Sequence, residues 1–133
     1  MRLPFHPRPG TILVCDYRKG GFRPPEMTKQ RLAVVVSPKL KKRDDLLSVV
    51  PLSKTEPVPS LEWHVPVNIA VPAPWGEWPR WAKCDMIATV GYDRLTLPHY
   101  RHPVTGQRLF WQHELDAELL ACIRNGVSAA LGL

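Results

Sequence analysis

LAVVVSPKLKKRDDLLSVV, running from Leu32 to Val50, is the stretch on which the architecture turns. Leu32 to Ser37 is apolar and rich in β-branched residues, a strand signal, and Pro38 closes it. Lys39 to Asp45 is a charged turn, and Leu46 to Val50 then reads as a partner strand. So short a connection makes the pair an antiparallel hairpin. Upstream, Thr11 to Tyr17 is a further apolar run after Gly10 and reads as a strand. Between the two, Arg18 to Gln30 carries Gly20, Gly21, Pro24 and Pro25 and must be a loop.

Downstream the chain changes character. Pro51 to Pro79 holds seven prolines together with Trp63, Trp75 and Trp78. Only Val65 to Val71 alternates well enough to be a strand there, and Pro66 confines it to a sheet edge. Trp81 to Val90 is free of proline and reads as one strand, with Lys83 and Asp85 on the same face. Pro98 to Gly106 reads as irregular, and Gln107 to Trp111 as a short strand. Beyond Pro103 proline disappears, and Leu115, Leu119, Cys122, Ile123, Val127, Ala130 and Leu131 recur at helical spacing. Glu114, Asp116 and Glu118 suit the positive end of that helix, and Gly132 suits its stop. Gly126 weakens its middle and allows a kink. The expected fold is mainly β with α: a strongly bent small sheet or barrel carrying a C-terminal helix, in one domain over residues 1–133.

Composition narrows the function. The chain has 133 residues with a formal charge of +6, and its 15 prolines are about twice the usual share. Residues 17 to 43 carry nine Lys or Arg against Glu26 alone, a local excess of +8. Concentrated positive charge on a small domain points to a polyanion, nucleic acid first, or else to a merely solvated loop. No stretch approaches the ~18 apolar residues of a membrane span, and the start has no secretory apolar core. Three cysteines without a close pair argue against a disulfide framework, so a reducing, cytoplasmic setting is expected. Cys15, Cys84 and Cys122 read as buried structural thiols. Walker, Gly-x-Ser-x-Gly and His-Glu-x-x-His motifs are absent. His99 and His102 have no Cys-x-x-Cys beside them and read as surface-loop residues rather than metal ligands.

Several ordered pieces resemble the PemK/MazF family of plasmid-maintenance toxins. Pro7-Arg-Pro-Gly10 leads into a strand ending Cys15-Asp16, and Glu26 stands five residues before Arg31. Arg31 opens the apolar strand that closes with Ser37-Pro38, and the next strand ends Val50-Pro-Leu-Ser53. Lys83-Cys84-Asp85 and the terminal Leu131-Gly-Leu133 complete the series. The chain departs from the family pattern in Leu32, where proline usually follows the arginine, and in Ser53, where threonine is usual. The segments at 57–81 and 97–110 look expanded.

The resemblance implies an SH3-like small β-barrel and a homodimeric toxin neutralised by a small acidic antitoxin. It implies metal-independent cleavage of single-stranded RNA through the 2′-hydroxyl, with no cofactor. The catalytic residues so implied are Glu26 as base, Arg31 as the charge on the phosphorane, Ser53 on the phosphate, and Asp85 as a fallback base. Arg18, Lys19, Arg23, Lys29, Lys54 and Lys83 are the expected RNA contacts. The plain alternatives are a loop ion pair for Glu26 and Arg31, a turn residue for Ser53 and a cap for Asp85. Trp63, Trp75, Trp78 and Trp81 are expected to cover the open side of the sheet, at least two of them, with base stacking as the alternative. A catalytically silent relative and a CcdB-type gyrase poison are the rival functions.

Overall fold

The computed structural model describes Leu3, residues 5–18 and residues 20–133. The hairpin forms as the sequence dictates. β2 (Gln30–Val35) and β3 (Leu46–Ser53) are antiparallel, with Ala33 opposite Pro51 and Val35 opposite Val49. Past the ladder, the Ser37 hydroxyl accepts a hydrogen bond from the Ser48 amide at 3.0 Å, so the Ser-Pro step itself ties the strand ends. β1 (Ile12–Asp16) lies on the other side of β2, Val14 opposite Leu32 and Asp16 opposite Gln30.

The central strands are buried on both faces, which is why they read as continuous apolar runs rather than alternating ones. Ile12, Val14, Leu32, Val34, Val50 and Leu52 point into one core cluster, which also takes in Ile123. Leu13, Cys15, Ala33, Val35, Leu47 and Val49 point into a second, closed by Leu3, Tyr17 and Tyr92.

β4 (His64–Val67) is an edge strand as Pro66 requires, paired to β5 (Arg80–Lys83). The single strand expected over 81–90 is broken. β5 and β6 (Ala88–Gly91) both pair with β3, but a 3₁₀ turn at Cys84–Met86 separates them. Ala82 faces Leu52 and Ala88 faces Val49, so residues 83–87 stand opposite only residues 50 and 51. The surplus residues coil into the turn and carry Asp85 off the strand, so the shared face expected for Lys83 and Asp85 does not exist.

β7 (Leu95–Thr96) pairs with β1, giving the path β4-β5-β3-β2-β1-β7. The expected barrel does not close, because no ladder among the described residues joins β4 to β7. Two features oppose closure: β7 is two residues long, and Pro66 of β4 has no amide hydrogen to donate. The stretch read as irregular after Pro98 contains β8 (His99–Arg101), which forms a separate hairpin with β9 (Arg108–Phe110). His102 turns that hairpin: its Nδ1 accepts from the Val104 and Thr105 amides.

α1 (Ala117–Leu131) starts at Asp116, whose carboxylate accepts the Leu119 amide at 2.8 Å, and stops at Gly132 in the left-handed region. The helix is continuous through Gly126. A Cβ there would lie 2.8 Å from Cys84 Sγ and 3.3 Å from a Val65 methyl, so the glycine sets how closely α1 meets the sheet. Arg124 adds a clamp, donating from Nε and Nη2 to the Val36 carbonyl. Cys122 is exposed, contrary to its sequence reading, because the buried stripe runs through Ile123 and Gly126. Cys15 and Cys84 are buried as expected, and burial pushes each thiol up to about 11.

Candidate nucleic-acid cleft

The end of the sheet where β2 begins and β3 finishes opens into a cleft of about 470 Å³. Arg31 enters it from β2, Lys54 from the residue after β3, Arg80 from the start of β5, and His99 from β8. Leu32, Leu52, Pro74 and Trp75 supply apolar wall, and Gln30 an amide at the rim. The cleft therefore carries three cations, one imidazole and, among the described residues, no carboxylate.

Each cation is held differently. Arg31 is half-buried at the mouth of the apolar strand, and its Nε is shut off from solvent with no hydrogen-bond partner. A buried unsatisfied guanidinium nitrogen costs free energy that a bound anion would remove. Arg80 is only 3% exposed. Its Nη1 donates to the Gly76 carbonyl at 3.0 Å and its Nη2 to the Trp75 carbonyl at 2.8 Å, so the Pro/Trp-rich loop is wrapped around it. Burial lowers its pKa below the ordinary arginine value. Lys54 stands 5.5 Å over the Trp78 ring, which keeps its ammonium beside an exposed aromatic face.

The residues singled out in the sequence are only partly brought together. Arg31 and Lys54 share the cleft. Continuing the β2–β3 register sets Ser53 level with Arg31, but its hydroxyl accepts the Thr55 amide at 3.2 Å, and it is buried outside the lining. Glu26 is exposed in the first loop, where it accepts the Arg23 amide at 3.2 Å. Asp85 is exposed in the 3₁₀ turn, and Lys83 sits opposite His64, neither lining the cleft. Arg18 forks onto Asp16 at 2.9 Å through two nitrogens, Arg23 and Lys29 are exposed in the loop, and Lys19 lies outside the described residues.

The basic run does not form one surface. Arg18, Arg23 and Lys29 lie at the cleft end of β2 and Lys39 to Arg43 at the hairpin end, with a strand of ~17 Å between. Trp63 and Trp75 pack against the core, whereas Trp78 is 53% exposed. Two cleft residues escaped the sequence reading, Arg80 and His99. Arg80 had a visible signal, since it is in phase with buried Ala82 and Cys84, a position where arginine is out of place unless held. His99 had none, because a hairpin paired only to itself brings it there.

Fold and sequence together define a small toxin. Residues 8–123 match the PemK-like, MazF-like toxins of type II toxin–antitoxin systems, and the chain belongs to that family. It is 30% identical to the uncharacterized protein YifN of Escherichia coli (strain K12), over 97% of each chain. Among solved structures, MazF (form I) from Deinococcus radiodurans superposes with a TM-score of 0.63 at 17% identity, covering 97% of this chain and 99% of that one. An endoribonuclease from a mycobacterial species gives 0.58 at 19% identity, covering 97% and 94%. At these identities the likeness is one of fold. Among the described residues no helix is long and apolar enough to cross a membrane. Nor do three His, Cys, Asp or Glu side chains group there as metal ligands would.

Proposed function

We propose that this toxin is a cytoplasmic, sequence-preferring endoribonuclease that cuts single-stranded RNA by metal-independent attack of the 2′-hydroxyl on the adjacent phosphate. The observation that carries the proposal is the unsatisfied Arg31 Nε in a cleft lined by three cations and no carboxylate. Such a cleft suits a phosphodiester. Arg31 would bear on the phosphate where charge builds in the pentacoordinate state, Arg80 would add fixed positive charge from beneath, and Lys54 would track the next phosphate. Trp78 offers a face for a base. Ser53, level with Arg31 across β2 and β3, would offer its hydroxyl to the phosphate, while Glu26, held on its own loop, stands outside the cleft lining. The proposed assembly is a homodimer whose basic cleft is blocked by a small acidic antitoxin, consistent with a family of two-component systems.

The test is RNA binding and cleavage by the wild-type protein in EDTA. With about three phosphates neutralised, affinity for single strands should fall roughly twenty-fold between about 50 and 200 mM salt. Shortened products should appear without added metal. RNA that is bound yet never cut would replace this reading with a silent nucleic-acid-binding relative.

A further inference from the structure

Cleavage at this cleft needs a group that moves a proton near neutral pH, and the expected carboxylates are not there. Glu26 is turned onto its own loop through the Arg23 amide, and Asp85 sits in the 3₁₀ turn beyond the end of β5. Of the side chains that line the cleft, Arg31, Arg80 and Lys54 are donor-only cations with no lone pair to accept a proton. Gln30 and Trp75 do not titrate, and the rest of the lining is apolar. His99 is left, an exposed imidazole on the β8–β9 hairpin at the cleft wall. Imidazole is the side chain whose ordinary pKa, about 6.5, suits proton transfer at physiological pH.

We propose that His99 is the general base of this cleft, an inference that rests on the ribonuclease reading. The neutral imidazole takes the proton from the 2′-hydroxyl as the O2′–P bond forms and the P–O5′ bond breaks. The electron pair of the broken bond leaves with O5′, which takes a proton from water, and the imidazolium neutralises the hydroxide so produced. The products are a 2′,3′-cyclic phosphate and a free 5′-hydroxyl. The charged groups that share the cleft with His99 are the cations Arg31, Lys54 and Arg80; on its own hairpin the charged neighbours are Arg101 and Arg108.

The experiment compares wild-type, His99→Gln, His99→Ala and Glu26→Gln proteins on one single-stranded RNA from pH 5 to 9, in EDTA. Binding is measured in parallel to the same sequence made as 2′-deoxy oligonucleotide. Wild-type cleavage should rise with pH on the acid side and then level off, as a base that must first lose its proton requires. His99→Gln should lower the plateau by about 10²–10⁴-fold and lose that limb while binding the deoxy strand as wild type does. Added imidazole should restore part of the rate to His99→Ala, and Glu26→Gln should keep the limb. Cleavage by His99→Gln at the wild-type rate with an unchanged profile overturns the assignment and leaves the ribonuclease reading intact. Loss of deoxy-strand binding with the limb preserved makes His99 a binding residue only, and overturns it as base. RNA left whole by the wild-type protein overturns both readings.

Discussion

Arg31→Ala is expected to slow RNA cleavage by about 10²–10³-fold, the usual consequence of removing a charged donor from a developing oxyanion. The same change should leave thermal stability unaltered or slightly raised. Arg31 precedes the buried run Leu32 to Val36, so truncating it empties no core space. Its Nε is already buried without a partner in the free protein, so the substitution removes a desolvation cost rather than a bond. Arg31→Lys should recover only part of the rate, because an ammonium cannot make the planar two-point contact with phosphate oxygens. Single-turnover cleavage and a melting curve on each variant check both halves. A large fall in melting temperature for Arg31→Ala would mean that the residue holds the fold rather than the phosphate.

Ile123→Ala should lower stability by about 2–5 kcal/mol in a urea or thermal melt. Ile123 is fully buried and joins α1 to the cluster formed by Ile12, Val34, Val50 and Val67. Relaxation cannot fill the void cheaply. The helix is held at its midpoint by the Arg124 clamp to Val36, and two residues on Gly126 already brings it against Cys84. By contrast Leu131 is 56% exposed, and Leu131→Ala should change stability by less than about 0.5 kcal/mol. Equal losses at the two positions would contradict the packing of α1 described above.

How much was legible depended on the range of the forces involved. The β2–β3 hairpin and α1 announce themselves because local signals agree with the tertiary result: β-branched runs closed by proline, an Asp116 cap and a Gly132 stop. Elements fixed by register with distant strands were misread. Nothing local in Trp81 to Val90 says that β3 offers only two residues against five, and that mismatch creates the 3₁₀ turn and displaces Asp85. Cys122 stands next to Ile123 in sequence, and only the choice of which helix face meets β4 and the 3₁₀ turn separates an exposed thiol from a buried side chain. The basic run looked like one patch because a sequence does not show the strand that divides it. Arg31 was legible through the spacing of Glu26, Arg31 and Ser37-Pro38, a pattern of motif order. His99 was not, since the cleft is assembled from β2, β3, β5 and a hairpin distant in sequence from all three.

The chemistry of the cut ends tests attack by the 2′-hydroxyl most directly. One short single-stranded RNA, digested by the wild-type protein in EDTA, is resolved by mass spectrometry into its two fragments. We expect the upstream fragment to carry a 2′,3′-cyclic phosphate and the downstream fragment a 5′-hydroxyl, both vanishing together in Arg31→Ala. Fragments ending in a 3′-hydroxyl and a 5′-phosphate, or cleavage that appears only with added Mg²⁺, would contradict attack by the 2′-hydroxyl at this cleft.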